Sequence, residues 1–249
     1  MRIVVAAFLT LMAGPVYGDQ VADLISKART ECRDCDLQGA NFKKADLSGV
    51  DLTGANLTDA SFHRANLRKT ILSGVVATGA NFNLADLTLA QMEGGDFTRA
   101  MFFGAEMSGA NLQSAILSEA RLQTARLTSA KMAETVLDRA LMKDTVANNA
   151  DFRNASMMET NLNGAHLGRS VFDGASINYA GFVQAELSKA RFIEATITRT
   201  DFYGADLRRA QVSGATLIGN RFTTAATREV DFENATMKGN FMADGRLQK

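Results

Sequence analysis

The sequence is poor in the residues that most enzymes and metal sites use. Its 249 residues contain no tryptophan, one proline, two histidines and two cysteines. So few histidines and cysteines leave little material for a metal centre or for acid–base catalysis. Lysine plus arginine and aspartate plus glutamate number 27 each, so the formal net charge is zero. This balance argues against a strongly basic nucleic-acid-binding protein and against a uniformly acidic mimic of DNA.

The N-terminal segment differs from the rest of the chain. A basic start at Arg2 precedes an apolar run over 3–14, and Val16 and Gly18 place small residues before a cleavage point. This layout is typical of a secretory signal peptide. A membrane anchor is the alternative, but this apolar run is too short to cross about 30 Å of hydrocarbon. We therefore predict that residues 1–18 are a signal peptide, that the protein is exported to a bacterial periplasm, and that no membrane span remains afterwards.

From residue 35 onward the sequence repeats every five residues. Starting at Ala40 it reads Ala-Asn-Phe-Lys-Lys, Ala-Asp-Leu-Ser-Gly, Val-Asp-Leu-Thr-Gly and Ala-Asn-Leu-Thr-Asp. We call the large apolar residue the centre and the residue two before it the small site. Centres run from Leu37 to Leu247, and 40 of these 43 positions carry a bulky apolar side chain. Alanine occupies 29 of the 43 small sites, and no insertion or deletion interrupts the register.

A period of five matches neither a helix, with about 3.6 residues per turn, nor a strand, with about 2. The chain must therefore turn at every repeat if each centre is to face one interior line. Fourteen glycines stand two residues after a centre, where a turn with positive φ is expected. The absence of proline after Pro15 agrees with this, because stacked coils use backbone N–H groups to bond the next coil.

The phenylalanines indicate how many repeats close one coil. Eleven of the twelve centre phenylalanines are separated by multiples of ten residues, and only Phe97 departs from this spacing. A square coil of four repeats explains the pattern, because two opposite sides would carry phenylalanine and the other two mostly leucine. The repeats then form about ten coils, stacked about 4.8 Å apart. Asn220 and Asn240 occupy small sites one coil apart, and we predict that they stack as an amide ladder inside.

These tandem motifs resemble the pentapeptide-repeat proteins, whose consensus is Ala-(Asp/Asn)-Leu-x-x. The resemblance covers Cys35 to Leu247. It implies an all-β fold, a right-handed quadrilateral β-helix with the small and central residues inside, which we place over 35–249. The weakest element is the Asp or Asn before the centre, which occurs at 15 of 43 positions and is absent from 116 to 146.

The residues between the signal peptide and the first repeat predict a lid. Val21, Leu24, Ile25 and Ala28 follow the i, i+3, i+4, i+7 spacing of an amphipathic helix. We assign 19–34 to an N-terminal capping helix and linker, because a terminal coil exposes apolar side chains and unpaired backbone groups. No helix is evident at the C-terminal end, which motivates the hypothesis of an end-to-end homodimer.

Cys32 and Cys35 join the lid to the repeats. A thioredoxin-like redox pair would need a βαβ context, which the sequence lacks. Zinc would need two further ligands, and His63 and His166 are too far along the chain. The remaining interpretations are inward packing of two thiols or a short structural disulfide, whose small loop constrains the unfolded chain only modestly. No cofactor or metal is expected.

No phosphate-binding loop, nucleophile elbow or metal-ligand cluster occurs in the sequence, so we expect no enzymatic activity. Exposed apolar residues are more informative about function, because they mark interaction sites when they cluster. Six of them lie on or beside one predicted side of the coil: Leu84, Met101, Phe103, Tyr179, Val183 and Tyr203. We interpret these six as candidates for partner binding, with drift in a degenerate repeat as the alternative explanation.

A second departure from the repeat lies where basic or apolar residues replace Asp or Asn: Ile116, Arg121, Arg126, Lys131, Val136, Leu141 and Val146. It is either a partner surface or relaxed sequence. The leading functional hypothesis is an exported, non-enzymatic scaffold that presents flat faces to a protein partner. The alternative, implied by the family resemblance, is a DNA mimic that binds topoisomerases. That function requires a strongly negative surface and a cytoplasmic address, whereas this chain has a formal net charge of zero and a predicted signal peptide, so it stays the alternative. We expect no nucleic-acid partner.

Overall fold

The computed structural model describes residues 17–248. One helix, α1 (Tyr17–Ile25), precedes a stack of coils in which the chain turns every five residues. Parallel β-bridges join residues twenty apart, from Glu31 with Asp51 to Arg221 with Phe241. Four repeats therefore close each coil, and the predicted all-β, four-sided solenoid is confirmed. The predicted signal peptide lies outside the described residues as far as residue 16, so export stays a prediction.

We name the four sides of the coil by their centres. Side A carries Phe42, side B Leu47, side C Leu52 and side D Leu57, each with every twentieth residue before and after it. Regular strands form on side D. They make one parallel sheet in which the strands lie side by side in the order of the sequence, with four turns of the solenoid between the first strand and the last. Its strands are β1 (Ser156–Met158), β2 (Ser176–Asn178), β3 (Thr196–Thr198), β4 (Thr216–Ile218) and β5 (Thr236–Lys238).

The centres form one continuous core along the axis of the coils. Every centre from Leu37 to Phe222 is buried. Phenylalanine rings stack from coil to coil on side A, where the centroids of Phe62 and Phe82 are 4.8 Å apart, and on the opposite side C, where those of Phe172 and Phe192 are also 4.8 Å apart. The prediction that two opposite sides carry phenylalanine is confirmed. Parallel stacks of this kind add to the free energy of burial.

Phe97, the phenylalanine outside the ten-residue spacing, lies on side D one coil after Ala77. Its ring packs edge-on against Phe82 and Phe102, at centroid distances of 6.1 and 5.8 Å. Two small residues make room for it. Ala77 places only a methyl group at its buried centre position, and a Cβ atom on Gly95 would lie 2.6 Å from a ring carbon of Phe97. The two irregular centres therefore compensate each other in volume.

Nearly every described repeat ends in a β-turn whose third residue has positive φ. In the repeat that begins this pattern, the Ala40 N–H donates to the Leu37 carbonyl at 3.0 Å and Gly39 has φ 66°. The prediction that glycines mark such turns is confirmed. Many corners adopt the same conformation without glycine, for example Lys44 and Leu84, each with φ 58°. Side chains at these corners project from the four edges of the rod.

The Asp or Asn before the centre closes this turn from outside. Its Oδ1 accepts the N–H two residues later, as Asp36 does from Gln38 at 3.3 Å, and all 15 residues of this type make the bond. In five other repeats the same N–H is bonded by an Asp or Asn side chain of the preceding coil. Asp138 accepts from the Met158 N–H at 3.0 Å in this way. Because the bond has a substitute, this slot is the least regular part of the repeat.

Helix α1 covers the first coil, but with fewer residues than predicted. Leu24 is completely buried and Val21 packs against the core. The helix ends at Ile25, because Lys27 adopts a positive φ of 58° and the Arg29 N–H donates to the Asp23 carbonyl at 3.1 Å. Ile25 and Ala28 are consequently exposed, and their predicted place on the apolar face is wrong.

An ion pair ties the end of α1 to the first coil. The ammonium group of Lys27 lies 2.7 Å from Asp46 Oδ2. Hydrogen bonds from Lys27 and Ser48 lower the pKa of Asp46 from 3.8 to about 2. Because the ionised carboxylate is favoured in the folded state, the contact contributes fully above pH 3.8 and is lost as the pH falls through about 2.

We expect Lys27→Met to raise the pKa of the Asp46 carboxyl toward 3.8, because the substitution removes the largest stabilising contact of the ionised form. The measurement is an NMR titration of the Asp46 carboxyl carbon from strongly acidic to near-neutral pH. Lys44→Met, a nearby exposed lysine at a corner, is the control and should leave the titration unchanged. An Asp46 pKa that is the same in the wild type and in Lys27→Met would show that this lid contact does not form.

Candidate interaction surface

The structure separates the six candidate partner residues into two groups. Leu84, Met101 and Phe103 form the first, which we call the Phe103 cluster. Tyr179, Val183 and Tyr203 form the second, which we call the Tyr203 cluster. All six are at least partly exposed.

The Phe103 cluster lies on side A and on the corner that follows it. Phe103 is 50% exposed and Leu84 is 42% exposed. The Leu84 N–H donates to the Phe103 carbonyl at 2.9 Å, so the two residues are neighbours in adjacent coils. Leu84 also lies over Gly104, where an added Cβ would be 2.9 Å from Leu84 Cδ2. Met101, half-buried, lies at the other edge of the same side.

The Tyr203 cluster contains an aromatic ring held in place by an arginine. Val183 and Tyr203 occupy the same position of side A in consecutive coils, and the Gln184 N–H donates to the Tyr203 carbonyl at 2.8 Å. The guanidinium carbon of Arg221 lies 4.9 Å from the centroid of the Tyr203 ring. Arg221 is itself fixed by Asp201, with 2.8 Å between Nε and Oδ1. The ring is thus preordered at its surface site.

Tyr179 lies on the corner between sides D and A, four residues before Val183. Its ring is covered in the same manner, by the guanidinium of Arg199 at 5.2 Å from the centroid. Arg199 also donates a hydrogen bond to the Tyr179 hydroxyl. Both tyrosine–arginine contacts join neighbouring coils, and sequence reasoning did not identify either one. A search for aromatic and basic residues about twenty positions apart would have found them.

The two clusters share side A but do not form one continuous apolar surface. Phe103 and Val183 are four coils apart, which corresponds to about 19 Å at ~4.8 Å per coil. Gln123, Lys143 and Asn163 occupy the intervening coils at the same position. The surface therefore consists of two apolar and aromatic sites separated by a polar strip.

The irregular run between 116 and 146 does not form a single face. Its seven members follow one another every five residues, so each lies on the next side of the coil. Ile116 is exposed on side D and Leu141 on side A, while Arg126 on side B pairs with Glu106 at 3.1 Å. A partner could not contact this spiral from one direction. The structure thus favours relaxed sequence over a partner surface.

Cys32 and Cys35 are joined by a disulfide, with their Cα atoms 5.4 Å apart. Cys32 belongs to the buried core and Cys35 is half-buried against it. The bond lies between α1 and the first complete coil, where Arg29 Nη1 is 3.8 Å from Cys32 Sγ. Its position is that of a structural link between lid and rod.

Metal-binding clusters and membrane-spanning helices are both absent from the part of the chain that the structure describes. No group of three or more His, Cys, Asp or Glu residues within it could hold a metal ion. Within the same range, no helix has the length and apolar character needed to cross a bilayer. His166 makes a surface contact with Glu186, with 2.7 Å between Nδ1 and Oε2. His63 is half-buried on the surface of side A.

Comparison with sequence families agrees with the repeat. The family described as Pentapeptide repeats matches in 8 copies, over residues 35–74, 72–102, 105–144 and 120–158. The family described as Pentapeptide repeat region matches residues 147–242. Together these matches cover most of the chain. No curated protein sequence matches it significantly.

Several solved structures are similar to this chain. HetL, a pentapeptide-repeat protein involved in heterocyst differentiation regulation in the cyanobacterium Nostoc, is 25% identical over 93% of this chain and 98% of its own, with a TM-score of 0.41. Rfr23 from the cyanobacterium Cyanothece is 26% identical over 53% of this chain and 100% of its own, with a TM-score of 0.40. QnrB1, a plasmid-mediated fluoroquinolone resistance protein, is 21% identical over 63% of this chain and 76% of its own, with a TM-score of 0.47.

Proposed function

Because the chain belongs to the pentapeptide-repeat family, we propose that it is a non-enzymatic scaffold that binds a protein partner through side A. The observation that carries the proposal is the exposure of Phe103. Its neighbour Phe102 is completely buried and supplies the core contact of this repeat, whereas half of Phe103 faces solvent. The fold needs no apolar residue at this position, and clustered exposed apolar residues mark interaction sites.

The two clusters have the properties of binding anchors. Aromatic side chains contribute a large share of the free energy at protein interfaces, and they do so most when they are already ordered. Arg221 and Arg199 order the two tyrosines before any partner arrives. A partner that spans the six coils of side A from Phe103 to Tyr203 would bury both clusters together, with the polar strip between them at the centre of the contact.

The test is affinity capture from an envelope extract of the source cell, because the N-terminal segment predicts export. We expect Phe103→Asp to reduce the recovered partner at least tenfold, since loss of an aromatic anchor costs about 2 kcal/mol or more. Gln113→Asp, at the equivalent exposed position on the opposite side C, is the matched control and should leave recovery near the wild-type level. Equal recovery with both variants would contradict the proposal.

Topoisomerase binding through DNA mimicry has less support from the surface. Basic and acidic side chains are mixed over the surface of the described residues and pair with one another. Arg139 with Glu119 and Arg191 with Asp173 are examples, each at 2.7 Å. A mimic of DNA needs a field of one sign. We therefore keep protein binding through side A as the proposed function.

The C-terminal end supports a second element of the proposal, end-to-end pairing of two chains. Phe241 and Leu247 form an antiparallel bridge and are both exposed, and the last core residues, Phe232 and Met237, are only partly buried. Two such ends in contact would remove this apolar surface from water. Light scattering over a range of concentrations decides the matter, and a monomer throughout would refute the pairing.

A further inference from the structure

The corner between sides B and C carries a row of like charges. Arg169, Lys189 and Arg209 occupy the same corner position in three consecutive coils, with φ values of 59°, 61° and 61°. Consecutive coils are about 4.8 Å apart, so the three cationic residues follow one another along the same edge of the rod. Like charges directly opposite one another in neighbouring strands are destabilising. The row therefore opposes folding unless something neutralises it.

The opposite corner, between sides D and A, shows how this chain neutralises such a row. There the residues alternate in sign from coil to coil: Arg99, Glu119, Arg139 and Glu159. Arg139 Nη2 lies 2.7 Å from Glu119 Oε1. The same fold therefore carries charges of alternating sign at one corner and charges of one sign at the other, at equivalent backbone positions. The repeated sign is therefore not a requirement of the scaffold.

Two of the three cations have no neutralising partner among residues 20–248. Arg209 Nε lies 2.6 Å from Glu229 Oε2 at the C-terminal end of the row. Arg169 and Lys189 make no ion pair and no side-chain hydrogen bond within that range. Their charges are thus available to a ligand, whereas Arg208, in the adjacent position, is held by Asp206 at 2.7 Å.

The row borders a shallow depression with a floor of small residues. Gly168 and Ser188 lie next to the two unpaired cations. Depressions of about 410 and 310 Å³ meet at Ser188 and Lys189, and Arg228 lines the far end. The floor allows an extended ligand to approach the backbone between the projecting cationic side chains.

We propose that this corner binds a linear chain of phosphate groups, with Arg169 and Lys189 as the principal contacts and Arg209 at the end of the site. Phosphate oxygens suit both residue types, because guanidinium binds them through paired N–H donors and ammonium through a compact charge. A phosphate chain repeats its charge at short regular intervals, as the coils do. Its binding removes the repulsion within the row.

The surroundings favour a soluble chain over a membrane surface. Peripheral membrane binding combines cations with apolar side chains that enter the bilayer. In the coils of this site, the exposed large apolar residues Met158, Tyr179, Tyr203 and Ile218 lie on side D, on side A or on the opposite corner. The cationic corner, as far as the described residues extend, therefore has no apolar residue to insert.

The test is fluorescence anisotropy of the whole protein with labelled linear polyphosphate at low salt. We expect Lys189→Gln to weaken binding about fivefold or more and to lower the slope of log affinity against log salt by about one. Arg139→Gln makes the same charge change at the equivalent position of the opposite corner. This control should bind polyphosphate as the wild type does.

Lys189→Glu separates lost binding from lost folding. This substitution gives the row the alternating signs of the opposite corner, so we expect polyphosphate binding to be abolished while the melting temperature stays equal or rises. Equal binding by the wild type and Lys189→Glu would overturn the proposal, as would equal losses in Lys189→Gln and Arg139→Gln. Binding to vesicles of anionic phospholipid without binding to polyphosphate would overturn it in favour of a membrane surface.

Discussion

Phe102→Asp is expected to lower the free energy of unfolding by more than about 5 kcal/mol. Replacing a core phenylalanine by a small residue costs about 3–5 kcal/mol. An unpaired carboxylate in the same place adds a desolvation penalty. Phe102 is completely buried, with its ring 4.9 Å from Phe82 and 5.8 Å from Phe97 between centroids.

The damage should appear in the middle of the rod, because each coil of a solenoid contacts only its neighbours. We would measure thermal and urea unfolding by circular dichroism, together with limited proteolysis, which should cut the variant near this coil. Phe103→Asp introduces the same charge at the next residue, which faces solvent, and should change the free energy of unfolding by less than about 0.5 kcal/mol. If the two variants melt alike, the inward assignment of the centres is wrong.

Asn220→Ala is expected to cost about 2–5 kcal/mol, because it leaves two buried backbone groups without partners at about 1–3 kcal/mol each. Asn220 is completely buried. Its Oδ1 accepts the Thr200 N–H and its Nδ2 donates to the Ile197 carbonyl, both at 2.9 Å. Asn240 repeats the arrangement one coil later and accepts the Asn220 N–H at 2.9 Å. Both side chains lie inside, as predicted, but the predicted amide ladder is wrong, because each amide bonds the backbone of the preceding coil rather than the other amide.

Amide hydrogen exchange of Thr200 is the most direct measurement of this effect, since its N–H loses its acceptor in Asn220→Ala. Urea unfolding gives the accompanying loss of stability. Asn161→Ala is the control, because Asn161 is partly exposed and water can replace its bond to the Asn163 N–H. Unchanged protection of Thr200 in Asn220→Ala would argue against the bond between its N–H and the Asn220 side chain.

The irregular positions mark the limit of what the sequence pattern predicts. In the sequence, Phe97 is only an exception to a spacing, and Ala77 only a weak centre. Their relation depends on closure of the coil, which places them in neighbouring coils of side D beside Gly95. The lid helix shows a similar limit. Its spacing predicts Ile25 on the buried face, but the chain leaves the helix there to reach the first coil.

The repeat alone was sufficient for the fold class, the inward centres and the turns with positive φ, because an uninterrupted five-residue period allows only one way to remove every centre from water. The candidate functional surface, in contrast, could be identified only from the stacked coils. Tyr179 with Arg199, and Lys189 between Arg169 and Arg209, are distant along the chain and become neighbours only through pairing of residues twenty apart. Contacts between coils depend on closure of the solenoid, whereas burial of the centres depends on local periodicity.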